Sequence, residues 1–165
     1  MQRLTKKVRA ATLVLAAAAG AALAAPSPAN AQAQPTIEGV WRVTRHGVIC
    51  QTGQQVVTFP AIMTFARGGT IGGDAVGPGG TPAQGTSEHG LWRREPGDQN
   101  YSLRLLGYAW DPATGAFQGS TEVTAKLQMT DNDTFTYESV IQFFDPQGNP
   151  AGPAHCGRAT GTRFQ

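Results

Sequence analysis

Two cysteines, Cys50 and Cys156, stand 106 positions apart and bracket most of the patterned part of the chain. Cys50 follows Gly39-Val40-Trp41-Arg42-Val43, which reads as a first strand, and Cys156 opens a last one within His155-Cys156-Gly157-Arg158. If the two sulfurs join, the first strand is held beside the last, and every strand between them must curve round to allow it. The topology that does this is a closed barrel. Two cysteines in an exported chain pair readily; the alternative is two buried free thiols. In the chain-entropy treatment a staple of this span stabilises by at most roughly 4.7 kcal/mol.

Residues 40–164 read as strands and turns, and no window of a dozen residues keeps a clean helical period. Alternation and turn residues predict eight strands: 40–45, 57–65, a short one at 70–71, then 89–94, 101–110, 117–129, 134–144 and 156–164. Arg67-Gly68-Gly69, Pro96-Gly97-Asp98, Asp111-Pro112-Ala113-Thr114-Gly115, Asp131-Asn132-Asp133 and Asp145-Pro146-Gln147-Gly148-Asn149 supply turns. Residues 72–87, rich in Gly, Pro and Thr, are expected to form a mobile loop. The inward faces are expected to carry Trp41 and Val43; Phe59, Ala61, Met63 and Phe65; Phe117, Val123, Ala125, Leu127 and Met129; and Phe135, Tyr137, Ile141 and Phe143. The expected fold is all-β, an eight-stranded antiparallel up-and-down barrel whose first and last strands are joined by a disulfide. Closure removes the two raw edges that a flat sheet of this width would expose. It also puts the end of strand one against the start of strand eight, where the cysteines stand.

Ahead of this domain, Arg3, Lys6, Lys7 and Arg9 precede an apolar run, Ala10 to Ala25, and a small-residue site, Ala29-Asn30-Ala31. Residues 1–31 therefore read as a signal peptide of bacterial style, and 32–38 as a loose leader. A transmembrane anchor is the alternative, but the run falls short of the ~20 residues a span needs. The expected address is periplasmic or secreted. Four of the thirteen basic residues belong to the signal, whereas all eleven acidic residues follow it, so the exported domain is near −2. The basic stripe that a nucleic-acid partner requires is missing.

Gly39-Val40-Trp41, with Arg158 or Arg163 on the last strand, resembles the lipocalin (calycin) pattern, in which a Gly-x-Trp opens the barrel and the Trp packs under an Arg near the domain's end. The resemblance spans the whole exported chain and implies a barrel holding a small apolar molecule. Two features depart from that family: no helix follows the last strand, and the exported chain is short for it. The hairpin Phe65-Ala66-Arg67-Gly68-Gly69-Thr70 is similar to those of the allene oxide cyclase-like barrels, which include cyclases.

Candidate chemistry is sparse. His46, His89 and His155 are far apart, without the short-spaced ligand pairs of a zinc site, and no metal or cofactor is expected. Glu88 and His89 are a possible acid–base pair, yet neighbours on a strand point to opposite faces. Tyr101, Arg104, Tyr137 and Ser139 are the strand polar groups that can face inward, Tyr137 and Ser139 foremost among them. No nucleophile elbow or phosphate-binding loop is present. The residues expected to line a ligand site are Trp41, Phe59, Met63, Trp92, Tyr101, Phe117, Tyr137 and Ser139, with 72–87 as a lid. Three functions fit: a carrier of an apolar molecule, a cyclase or isomerase, and a filled structural or partner-binding barrel.

Overall fold

A computed structural model describes residues 36–77 and 85–165. The signal peptide read at 1–31, the start of the leader and the middle of the expected lid, 78–84, lie outside the described residues. Eight strands follow in order: β1 (Gly39–Val48), β2 (Gln55–Phe65), β3 (Thr70–Ala75), β4 (Glu88–Arg94), β5 (Asn100–Trp110), β6 (Phe117–Met129), β7 (Thr134–Phe144) and β8 (His155–Arg163). Each pairs antiparallel with the next, and β8 returns to β1, closing the barrel. Cys50 and Cys156 are bonded, with their Cα atoms 5.2 Å apart, at the end of the β1–β8 seam.

Up-and-down order puts alternate connections at opposite ends. Those at 66–69, 95–99 and 130–133 share one end with the segment leading into β1. The longer ones at 49–54, 111–116 and 145–154, together with the described ends of the β3–β4 connection, share the other end with the disulfide. The first end is packed shut. Trp41, Met63, Phe65, Leu127 and Phe135 are fully buried there, and Ile37 plugs the base. The aromatic rings meet as a chain: Trp41 to Phe135 at 4.9 Å, Phe135 to Phe65 at 6.1 Å, and Phe65 to Trp92 at 6.3 Å. Tilted and edge-on contacts such as these match the quadrupoles of the rings.

Arg163 locks this end. Its guanidinium lies 4.3 Å over the Trp41 ring and donates to Glu38 O at 2.7 Å, Thr36 O at 2.8 Å and Asn132 O at 2.8 Å. Of the two arginines the sequence offers for this role, Arg163 takes it. Gly39 has φ +130°, and a Cβ there would stand 2.9 Å from Arg163 Nη1, so both backbone and space favour glycine at the head of Gly-x-Trp.

Three expectations need correction. β3 runs to Ala75, so residues 72–75 are strand: Gly72 pairs with Thr64 and His89, and Gly73 with Met63 and Glu88. Phe117 is outside the barrel. A register shift leaves Gln118 as an extra residue between the pairs Ala109–Gly119 and Trp110–Phe117, and Gly119 takes the positive φ that such a bulge permits. Parity is reversed before it, and Phe117 joins Tyr108 and Trp110 in an exposed aromatic cluster. Phe143, expected inside, is 41% exposed at the rim, against the ring of His155.

The turns carry a pH signature. Asp111 accepts from the backbone N–H and the hydroxyl of Thr114 and from Ala113 N–H. Asp131 accepts from the hydroxyl of Thr134 and from Asp133 N–H, and Asp145 from the N–H groups of Asn149 and Gln147. These bonds favour the ionised form and hold all three carboxyls below the usual range. A carboxyl depressed in the folded state adds stability above the unfolded pKa, about 3.9 for Asp, and loses it as pH falls through the folded value. The urea midpoint is therefore expected to hold down to about pH 5 and to fall below about pH 4. The fall should be shallower when all three residues are changed to Asn. Parallel acid limbs for parent and variant would show that these turns do not carry the effect.

Candidate functional site

Inward positions alternate along β1 as Trp41, Val43 and Arg45, which carries a guanidinium into the interior. The same alternation on β4 turns Glu88 in and His89 out. Arg45 Nη2 donates to Glu88 Oε2 at 2.7 Å, and the two side chains are only 10% and 20% exposed. The contact passes Gly73 of β3, where a Cβ would stand 3.1 Å from Arg45 Nη2 and 3.3 Å from Glu88 Oε2. This space requirement accounts for a glycine within β3.

Across the β1–β8–β7 ladder, Arg45 pairs with Ala159 and Ala159 with Tyr137, so only a methyl separates the two long side chains in register. Ser139 is the next inward residue of β7, buried opposite Gly157, where a Cβ would lie 2.6 Å from the Ser139 hydroxyl. The walls round this group are small: Ala61, Gly73, Ala75, Gly107, Gly157 and Ala159. Phe59 and Ile141 stand at its margin, and the fully buried rings of Trp41, Phe65 and Phe135 are at the other end.

Charge is balanced here. Desolvation by burial opposes the charge on Arg45; the nearby Tyr137 oxygen, negative at the high pH where an arginine titrates, and the carboxylate of Glu88 outweigh it and raise the pKa. Burial pushes the Tyr137 hydroxyl up; Arg45 pulls it down and Glu88 pushes it up. Near neutral pH Tyr137 is thus an uncharged hydroxyl beside a formally neutral ion pair. Arg45 Nε is buried and has no hydrogen-bond partner among the described residues. The site can donate hydrogen bonds to a group entering the interior.

Of the residues read from the sequence, Tyr137 and Ser139 lie in this group. Phe59 is half-buried beside it, in register with Arg45. Trp41, Met63 and Tyr101 are buried in the packed end, and Trp92 is half-buried against Tyr101 at 5.7 Å. Phe117 is outside with Trp110. Arg104 also faces out, bonded to Glu122 at 2.7 Å, because the odd positions of β5 take the interior. His46 bonds Thr58, and His155 stands against Phe143. Arg45 and Glu88 were missed as a pair, although the alternation of Trp41 and Val43, carried one step further, turns Arg45 inward.

A concavity of about 1220 Å³ lies elsewhere, on the outer faces of β4 to β8. It is an open saddle between twisted strands. Its charges are exposed, and most are paired, Arg93 with Glu95 at 2.7 Å and Arg158 with Glu138 at 3.4 Å. Buried donors are the stronger pointer to a ligand, so the interior group is the better candidate.

Fold and site together define a closed, disulfide-stapled, eight-stranded antiparallel barrel with an ion pair in its interior. No protein-family model matches the sequence, and no curated protein matches it.

Proposed function

We propose that this chain is an exported carrier that holds a small, mainly apolar molecule inside the disulfide end of its barrel. One observation carries the reading: the two ends of the interior are built differently. Bulky rings fill the Trp41 end, whereas Ala61, Gly73, Ala75, Gly107, Gly157 and Ala159 line the other, where the connections are longest. Small inward residues around a few fixed polar groups are the pattern of a ligand site in a barrel of this size. Export is supported by the signal-like start and the disulfide. Kinship with the lipocalins is supported by Gly39, Trp41 and Arg163.

The neutral probe N-phenyl-1-naphthylamine is expected to bind one per chain with enhanced emission. Ala159→Leu, which places a branched side chain between Arg45 and Tyr137, should weaken binding by roughly tenfold or more, the order of one overpacked side chain. Absence of binding, or equal binding by both proteins, would overturn the reading. The convergence of Arg45, Glu88 and Tyr137 favours a second reading, a cyclase or isomerase similar to the allene oxide cyclase-like barrels. Incubating the protein with the molecule it carries out of the periplasm, and comparing the recovered and starting compounds by chromatography and NMR, separates the two. A carrier releases its molecule chemically unchanged, whereas an enzyme of this kind converts it into an isomer of the same mass.

A further inference from the structure

Arg45 reaches into the interior with one donor engaged and a neighbouring donor unpartnered. Nη2 is bonded to Glu88 at 2.7 Å, whereas Nε is buried without a partner among the described residues. An unmet donor on a charged group is destabilising where water is scarce. An acceptor brought in by a ligand meets it.

Glu88 decides what kind of acceptor fits. It already neutralises Arg45, and it stands on the same guanidinium that the ligand must approach. A carboxylate head would bring a second negative charge beside Glu88 in a poorly screened interior, and like charges there repel strongly. A carbonyl oxygen brings the acceptor without the charge. Tyr137, one small residue away across the ladder, adds a neutral hydroxyl to the same group. We infer that the molecule held in the barrel is an apolar compound bearing an uncharged carbonyl, a ketone, aldehyde or ester, whose oxygen accepts from Arg45 Nε. This rests on the carrier reading above and specifies its ligand.

Three probes of equal chain length test it on the disulfide-bonded protein, by displacement of N-phenyl-1-naphthylamine: 2-decanone, decanoate and decane. 2-Decanone is expected to bind roughly tenfold more tightly than either of the others, the order of one hydrogen bond to a charged donor. Glu88→Gln removes the competing negative charge and keeps the shape. In that variant decanoate should gain roughly tenfold or more and overtake the ketone. Arg45→Lys keeps a cation for Glu88 but deletes Nε. Its ratio of 2-decanone to decane affinity should fall towards one whatever happens to decane binding itself, and it decides the question even if Glu88→Gln does not fold. If the naphthylamine itself fails to bind the parent, the carrier reading falls. If it binds but 2-decanone shows no advantage over decane, Nε is met by water alone and the carbonyl assignment is wrong. Preference for decanoate by the parent would equally overturn it.

Discussion

Trp41→Ala is expected to lower the unfolding free energy by about 3–5 kcal/mol, the range for truncating a fully buried tryptophan. Three contacts vanish together. The indole lies 4.9 Å from the Phe135 ring and 4.3 Å beneath the Arg163 guanidinium, and its Nε1–H donates to Ile37 O at 2.8 Å. Truncation leaves a cavity in a packed layer and a buried carbonyl without its donor, and both are destabilising. Arg163 loses the aromatic face it covers, so the segment from Thr36 to Glu38 should loosen as well. Trp41→Phe keeps a ring for Phe135 and Arg163 but not the N–H, so its loss should fall between parent and alanine. The measurement is the urea midpoint at constant redox state. A Trp41→Ala midpoint equivalent to a loss below about 1 kcal/mol, the size of an ordinary surface change, would remove Trp41 from the centre of this end.

Removing the disulfide is the second large effect. Cys50→Ser with Cys156→Ser opens a loop of 106 residues, and the chain-entropy treatment bounds the loss at roughly 4.7 kcal/mol. The melting temperature should fall by several degrees or more in oxidising buffer. Parent and variant should melt together once reductant opens the parent's bond. The bond sits beyond Val48–Cys156, the last pair of a seam that runs from Trp41–Arg163. It fixes a closure that the strand ladder already makes, so the variant is expected to remain a barrel. Hydrogen exchange should quicken first at Gly47, Val48 and Gly157, next to the lost crosslink. Equal melting in oxidising buffer would show that the staple contributes nothing to stability.

The features readable before any coordinates were those encoded locally. Period-two alternation in 134–144 and in most of 117–129, and Asp-, Gly- and Pro-rich turns between strands, needed only neighbouring residues to be recognised. The strand count and the placing of Cys50 and Cys156 then left one economical topology, the ring that is observed.

What escaped this reading depends on partners remote in the chain. Gly72 and Gly73 look like loop residues, yet β2 and β4 hold them in a ladder, and Gly73 is where Arg45 and Glu88 meet. A single extra residue at Gln118, registered only against β5, reversed the side on which Phe117 lies. The choice of Arg163 over Arg158 followed from which of them reaches Trp41 at the base of the barrel. Above all, Arg45 and Glu88 are 43 positions apart, and nothing short of barrel closure brings their side chains together. Alternation and turn chemistry act over a few bonds and are written in order along the chain. Register, bulges and an interior ion pair are set by which strands lie side by side, and that comes into being only when the sheet closes on itself.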